Sequence, residues 1–348
     1  MKKLRWTPLI ITLIFSFFAC HPDDPIALVG NWSRRSDFDG SGRYGAASFC
    51  IGQKGYLGFG YGTKNGLKAY LTDFWSYDSE VNAWTQVADC PGAGRTSCVG
   101  FSIGNDGYVG TGQDINTKYL RDFWKYSSVS NAWSKIDSLP NGYERAGGLS
   151  FAINNVGYVG TGYNGNYLKD FWKLNPATGT WTLLPGYGGA KRRDGVSFVI
   201  DGKAYICTGV ENGSYVTDLW RFDPATETWA GGIDAGLRPI STVTNSNYKM
   251  IRTNAVGFSN GTKGYVALGS SGSLLNDVWE YDPTTDFWTK KTNLEGPNAT
   301  TGVARYAAIA FSIPSNNRIF VGLGTNGGSN WFDDLWEFNP TAAYDPYN

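Results

Sequence analysis

The chain has 348 residues, of which 46 are Gly, 14 Trp, 21 Tyr and 19 Phe, while charged residues make up only 17%. Thirty cations balance thirty acids, and nothing in that balance suggests nucleic-acid binding. Abundant Gly and aromatic residues without a sustained helical period point to short strands and tight turns.

Residues 1–20 stand apart. Lys2, Lys3 and Arg5 precede an apolar run from Leu9 to Phe18, too short to span a bilayer and suited to a signal-peptide core. It ends in FFAC at 17–20, which resembles a lipobox and makes Cys20 the expected lipidation site. Residues 21–28 read as a polar tether. Asp23 and Asp24 within it resemble the acidic export tag of some Bacteroidetes lipoproteins, or else form a solvated linker. The expected location is the cell envelope, as an outer-membrane lipoprotein facing the periplasm or the outside. Loss of residues 1–20 removes three cations and no acid, leaving a net charge of −3. Of the later cysteines, Cys90 and Cys98 could close a small loop, while Cys50 and Cys207 lie in predicted strands as core thiols.

The remaining chain repeats. An acid, an apolar residue and a Trp recur as LTDFW at 71–75, LRDFW at 120–124, LKDFW at 168–172, VTDLW at 216–220, LNDVW at 275–279 and FDDLW at 332–336. Each of the first five is followed nine residues later by Trp84, Trp133, Trp181, Trp229 or Trp288. Upstream of each motif, Arg43, Arg95, Arg145, Arg192, Arg252 or Arg305 stands six residues before a Phe. Between these landmarks lies an aromatic strand ending in small residues, such as GYVGTG at 107–112. Each unit therefore reads as four strands, and a period of 48–59 residues fits propeller blades. The last unit lacks its second Trp, and LVGNW at 28–32 has the spacing to supply it. The expected fold is all-β, a six-bladed propeller over residues 29–340 whose last blade is closed by the N-terminal strand, with a tail at 341–348. Twelve evenly spread tryptophans read as packing between blades.

The Arg-led first strand, the glycines ending the second and the paired tryptophans resemble kelch repeats over residues 29–340. The usual Gly-Gly doublet appears here as Gly-x-Gly or a single Gly. The resemblance extends to galactose oxidase, but a copper site of that kind needs imidazoles, and this chain has one histidine, His21. The same shortage removes a His-ligated zinc site and a Ser–His–Asp nucleophile. The segment SDFDGSG at 36–42 places Asp37, Asp39 and Ser41 at alternate positions, but Ser48 stands where a calcium loop needs its Glu. No metal or cofactor is expected.

Each Arg begins an innermost strand, so all six belong near one mouth of the channel. They either pair with the strand-opening acids Asp73, Asp122, Asp170, Asp218, Asp277 and Asp334, or form a ring facing a carboxylate. Loops opening on that face carry Tyr61, Tyr70, Tyr119, Tyr163, Tyr167, Tyr215 and Trp331. The longest connection, after Trp229, adds Arg238, Tyr248 and Lys249. The ligand-binding candidates are accordingly the six arginines, Tyr61, Tyr119, Tyr163, Tyr215, Arg238 and Trp331. The expected function is a monomeric, membrane-anchored module binding a glycan or an envelope protein. The alternative is an enzyme similar to kelch-type sialic acid mutarotases, with Glu144 and Glu211 as candidate bases.

Overall fold

First strands of the units are apolar at alternate positions and small between them. One face can pack between sheets while the other lines an axis. The computed structural model describes residues 28–231, 250–296, 303–328 and 331–345. The expected signal peptide, Cys20, most of the tether, and Arg238, Tyr248 and Lys249 lie outside these residues. Among the described residues, six four-stranded antiparallel sheets form. The first contains Ala47–Ile51, Lys54–Gly58, Phe74–Asp78 and Ala83–Val87 in that spatial order. The innermost strands are Ala47–Ile51, Val99–Ile103, Leu149–Ile153, Val196–Ile200, Val256–Ser259 and Ile309–Ile313. Each packs beside the next, and the last packs beside the first. The fold is an all-β propeller around a channel lined by small groups such as Ser48, Gly100, Ser150, Ser197, Gly257 and Ala310.

The N-terminal strand closes the last sheet. Val29–Arg34 pairs antiparallel with Leu335–Ala343, placing Trp32 opposite Phe338 and Arg34 opposite Trp336. The Trp32 and Phe338 rings meet at 4.5 Å, and Trp32 Nε1 donates to Thr292 O at 3.2 Å, just past the outer strand of the neighbouring sheet. The final strand runs to Ala343, so the tail expected from 341 begins later.

Aromatic packing repeats with the sheets. The Phe of each first strand stacks on its cross-strand partner, as Phe49 on Tyr56 at 5.5 Å and Phe101 on Tyr108 at 5.2 Å. Phe49, Phe101, Phe198 and Phe311 also reach over the second strand of the next sheet, where glycine makes room. A Cβ on Gly107 would lie 2.3 Å from Phe49 Cε2, and one on Gly157 would lie 2.1 Å from Phe101 Cε2. Trp32, Trp84, Trp172, Trp279, Trp288 and Trp336 are buried between sheets. The cysteines Cys50, Cys90, Cys98 and Cys207 are free thiols, so the Cys90–Cys98 loop is not closed. Burial pushes all four up to about 12, which keeps them inert.

Candidate functional site

The loop face is built on a knot repeated in all six sheets. Arg43 donates from Nη1 and Nη2 to Asp73 Oδ1 and Oδ2 at 2.7 and 2.8 Å, and from Nη1 to Phe59 O at 3.2 Å. Its Nε donates to Ser41 O at 3.0 Å, and Trp75 Nε1 donates to Asp73 Oδ2 at 2.7 Å. Arg95 with Asp122 and Trp124, Arg145 with Asp170 and Trp172, and Arg252 with Asp277 and Trp279 repeat the arrangement. Arg192 pairs with Asp218 and Arg305 with Asp334. All six arginines are 0% exposed. Burial raises the carboxyls of Asp73, Asp122, Asp277 and Asp334. The hydrogen bonds and charge of their arginines outweigh it, holding them below the usual carboxylate range.

The expected ligand-facing ring of Arg43, Arg95, Arg145, Arg192, Arg252 and Arg305 is therefore corrected. These guanidinium groups are enclosed, with their donors spent on a carboxylate, backbone carbonyls and, for Arg192 Nε, the Tyr187 hydroxyl. Removing one partner would strand a buried charge at a cost of about 3–5 kcal/mol.

Around the knots run two closed circles of backbone bonds that the sequence reading missed. Gly45, Ser97, Gly147, Asp194, Asn254 and Ala307, each two residues after its Arg, all have positive φ. Each donates its N–H to the equivalent carbonyl of the preceding sheet, Gly45 closing onto Ala307 O at 2.9 Å. In the second circle Gly60, Gly112, Gly162, Gly209, Gly269 and Gly324 donate to the arginine carbonyl of the following sheet, Gly324 closing onto Arg43 O at 2.8 Å. The Gly-x-Gly signature is explained here: both the middle residue and the last Gly are left-handed, as in Phe59 and Gly60. The turned middle residue aims its carbonyl at the arginine.

Side chains not used by this scaffold form the exposed layer. Tyr61 meets Tyr44 at 5.5 Å, Tyr70 at 5.1 Å and Trp331 at 5.4 Å, with Lys68 Nζ 5.8 Å from the Trp331 ring. Tyr306 lies 6.5 Å from Tyr44. A second cluster joins Tyr119 to Tyr163 at 5.9 Å and Tyr163 to Tyr167 at 4.9 Å, with the Arg193 guanidinium 5.1 Å from Tyr163. Tyr70, Tyr119, Tyr167, Tyr215 and Trp331 all stand three residues before the knot acid, and four of them bridge or pair to the strand below. Tyr215 does so as well, opposite Val210. The structure thus gathers Tyr61 with Trp331, and Tyr119 with Tyr163, while Tyr215 sits apart on the hairpin of Glu211.

Residues 158–303 match the KLHDC2/KLHL20/DRC7 Kelch-repeats domain family. The solved structure described as "Structure of YjhT" is similar over 86% of this chain and 95% of its own, with a TM-score of 0.68 at 15% identity, a likeness of fold. No curated protein matches the chain at a significant level. The kelch match agrees with the Arg-led repeat.

The two candidate bases do not meet. Glu144 Oε2 accepts the Gly142 N–H at 2.9 Å, beside a hollow at the rim of the second sheet. Glu211 lies in the short hairpin of the fourth. A different acid is unusual. Asp194 is the one acid in the inner backbone circle, where the other sheets carry Gly, Ser, Gly, Asn and Ala. Its Oδ2 is 3.3 Å from Arg193 Nε. Burial pushes its carboxyl up to about 6, and the Arg193 charge offsets this only in part. Among the described residues, no group of three or more His, Cys, Asp or Glu is placed to hold a metal ion.

Proposed function

We propose that this chain is a ligand-binding propeller that presents the aromatic arc of its loop face to a glycan or an envelope protein, held in place by the lipid expected on Cys20. The observation that carries the reading is the arc itself. Tyr44, Tyr61, Tyr70, Trp331 and Tyr306 are half-buried, mutually packed and unused by the arginine knots. Rings fixed by their neighbours offer flat stacking surfaces at little entropic cost. A glycan array comparing the wild type with Tyr61→Ala/Trp331→Ala tests it. The double variant is expected to lose about tenfold or more in signal while its melting temperature holds. Equal signals from the two proteins would remove the arc from the binding surface.

A second reading, a mutarotase acting on sialic acid or a similar anionic sugar, is favoured by Asp194 and not by Glu144 or Glu211. A carboxyl titrating near neutrality can hold and return a proton, and Asp194 has the cation Arg193 beside it at the channel mouth.

A further inference from the structure

In a repeat protein, what recurs in every unit serves the architecture, and what occurs in one unit is free for other work. Measured that way, the rim of the second sheet departs most from its equivalents. A hollow of about 680 Å³ is lined there by Lys118, Arg121, Lys135, Tyr119, Asn141 and Glu144. The position of Lys118 is held elsewhere by Ala69, Asn166, Ser214, Ser273 and Asn330. That of Arg121 is held by Thr72, Lys169, Thr217, Asn276 and Asp333. Lys135 stands opposite Trp124 in the sheet, where the first, third and fourth sheets have Gln86, Leu183 and Gly231 and the fifth and sixth have Lys290 and Arg34. At these three equivalent positions the second sheet carries three cations, and every other sheet carries at most one.

The local geometry holds them there without neutralising them. Asp114 Oδ1 accepts the backbone N–H groups of Asn116 and Lys118, each at 2.9 Å, which folds the loop and sets Lys118 in place. Arg121 Nη1 donates to Leu139 O at 2.6 Å, fixing the guanidinium with donors to spare. Lys135 Nζ lies 5.9 Å from the Trp124 ring. Among the described residues, none of the three has a carboxylate within salt-bridge distance. The nearest acid of the knot, Asp122, is committed to Arg95.

We propose that this hollow binds a saccharide carrying a sulfate or phosphate ester. Lys118, Arg121 and Lys135 take the anionic ester, the Tyr119 ring meets the sugar face, and Glu144 and Asn141 take hydroxyls. The acid is what argues for a sugar over a bare anion. A carboxylate beside three cations repels a simple dianion but accepts hydroxyl protons. This site goes beyond the arc reading and shares only Tyr119 with the aromatic clusters, so it stands or falls separately.

Calorimetry with glucose, galactose and N-acetylglucosamine, each as the free sugar, the 6-sulfate and the 6-phosphate, tests the assignment, with inorganic sulfate and phosphate alongside. At least one ester is expected to bind about tenfold more tightly than its parent sugar and than the inorganic ion, and to weaken as salt is raised. The sulfate and phosphate arms identify which ester is preferred. Lys118→Ala/Lys135→Ala, two exposed side chains outside the knots, should lose about tenfold in affinity for that ester. Glu144→Gln should weaken the sugar ester and strengthen binding of the inorganic ion, whereas Trp331→Ala should change neither. Equal binding of ester and parent sugar, inorganic ion binding as strong as the ester's, equal affinities in wild type and double variant, or no ester binding at millimolar concentration would each overturn the proposal.

Discussion

At the residue scale the informative contrast is between acids that the scaffold needs and one that it does not. Six knot acids are paired with buried arginines, and those with a resolved shift titrate low. Such groups stabilise the fold above their unfolded pKa, and the contribution is lost as pH falls through the folded value. Asp194 runs the other way. Its folded pKa, about 6, lies above an unfolded value of roughly 3.9. Its contribution is complete at low pH and is lost as pH rises through about 6. Asn tolerates the positive φ of this position, as Asn254 does in the next sheet. Asp194→Asn should therefore match the wild type in stability near pH 4 and exceed it increasingly up to about pH 6, with a constant gap above. Carbon-13 NMR of the carboxyl should show the same midpoint. If the mutarotase reading holds, anomeric exchange of N-acetylneuraminate by the wild type follows that midpoint and disappears in the variant. A midpoint near 4 would remove Asp194 from consideration as an acid–base group, and exchange that persists in the variant would remove it from the mutarotase reading.

At the element scale the strands were legible, because their landmarks are periodic and periodicity survives any detail of packing. The order of strands in each sheet and closure by the Trp32 segment followed from counting tryptophans. The pairing of Arg with Asp was half legible. Both repeat six times, but a spacing of 25–30 residues across a sheet does not say whether a guanidinium turns inward to its acid or outward to a ligand. The left-handed carbonyls of the Gly-x-Gly turns decide it, since they leave an arginine-shaped enclosure. The backbone circles were not legible, because Gly, Ser, Asp, Asn and Ala share no side-chain signature, only a φ. Glycines that begin the second strands carry a prediction of the same kind. Gly107→Val places a branched side chain where Phe49 already lies 2.3 Å from a Cβ. It should cost about 1–3 kcal/mol or more in denaturant unfolding. Gly186→Ala, with open space around the added carbon, should stay within about 0.5 kcal/mol of the wild type. Comparable losses at both sites would mean that the Phe–Gly contact does not set the blade spacing.

For the whole molecule the decisive element is the strand Val29–Arg34, because it joins the two ends of the chain in one sheet. Without it the Leu335–Ala343 strand becomes an open edge, and unpaired edges invite pairing with another chain. Trp32 is 3% exposed and packs on Phe338, so its loss alone is worth about 3–5 kcal/mol. Arg35, which follows the strand, is tied to Glu337, Phe38 N donates to Asp333 O at 2.7 Å, and at the other end Val29 O accepts from Thr292 N at 3.3 Å, so the segment is held at both ends. A chain beginning at residue 36 should melt at a lower temperature than one beginning at residue 21, and should self-associate in a concentration-dependent way by sedimentation. A peptide of residues 28–35 added in trans should suppress that association by filling the edge, while the same peptide with Trp32→Ala should do so poorly. The two backbone circles predict one more feature of the result. They close through Ala307 to Gly45 and through Gly324 to Arg43, independently of the missing strand. The truncated chain should therefore keep its central channel and lose stability mainly at the last sheet, visible as hydrogen exchange concentrated in residues 335–343. Exchange spread evenly over all six sheets would show that closure by the outer strand, and not the inner circles, holds the ring together.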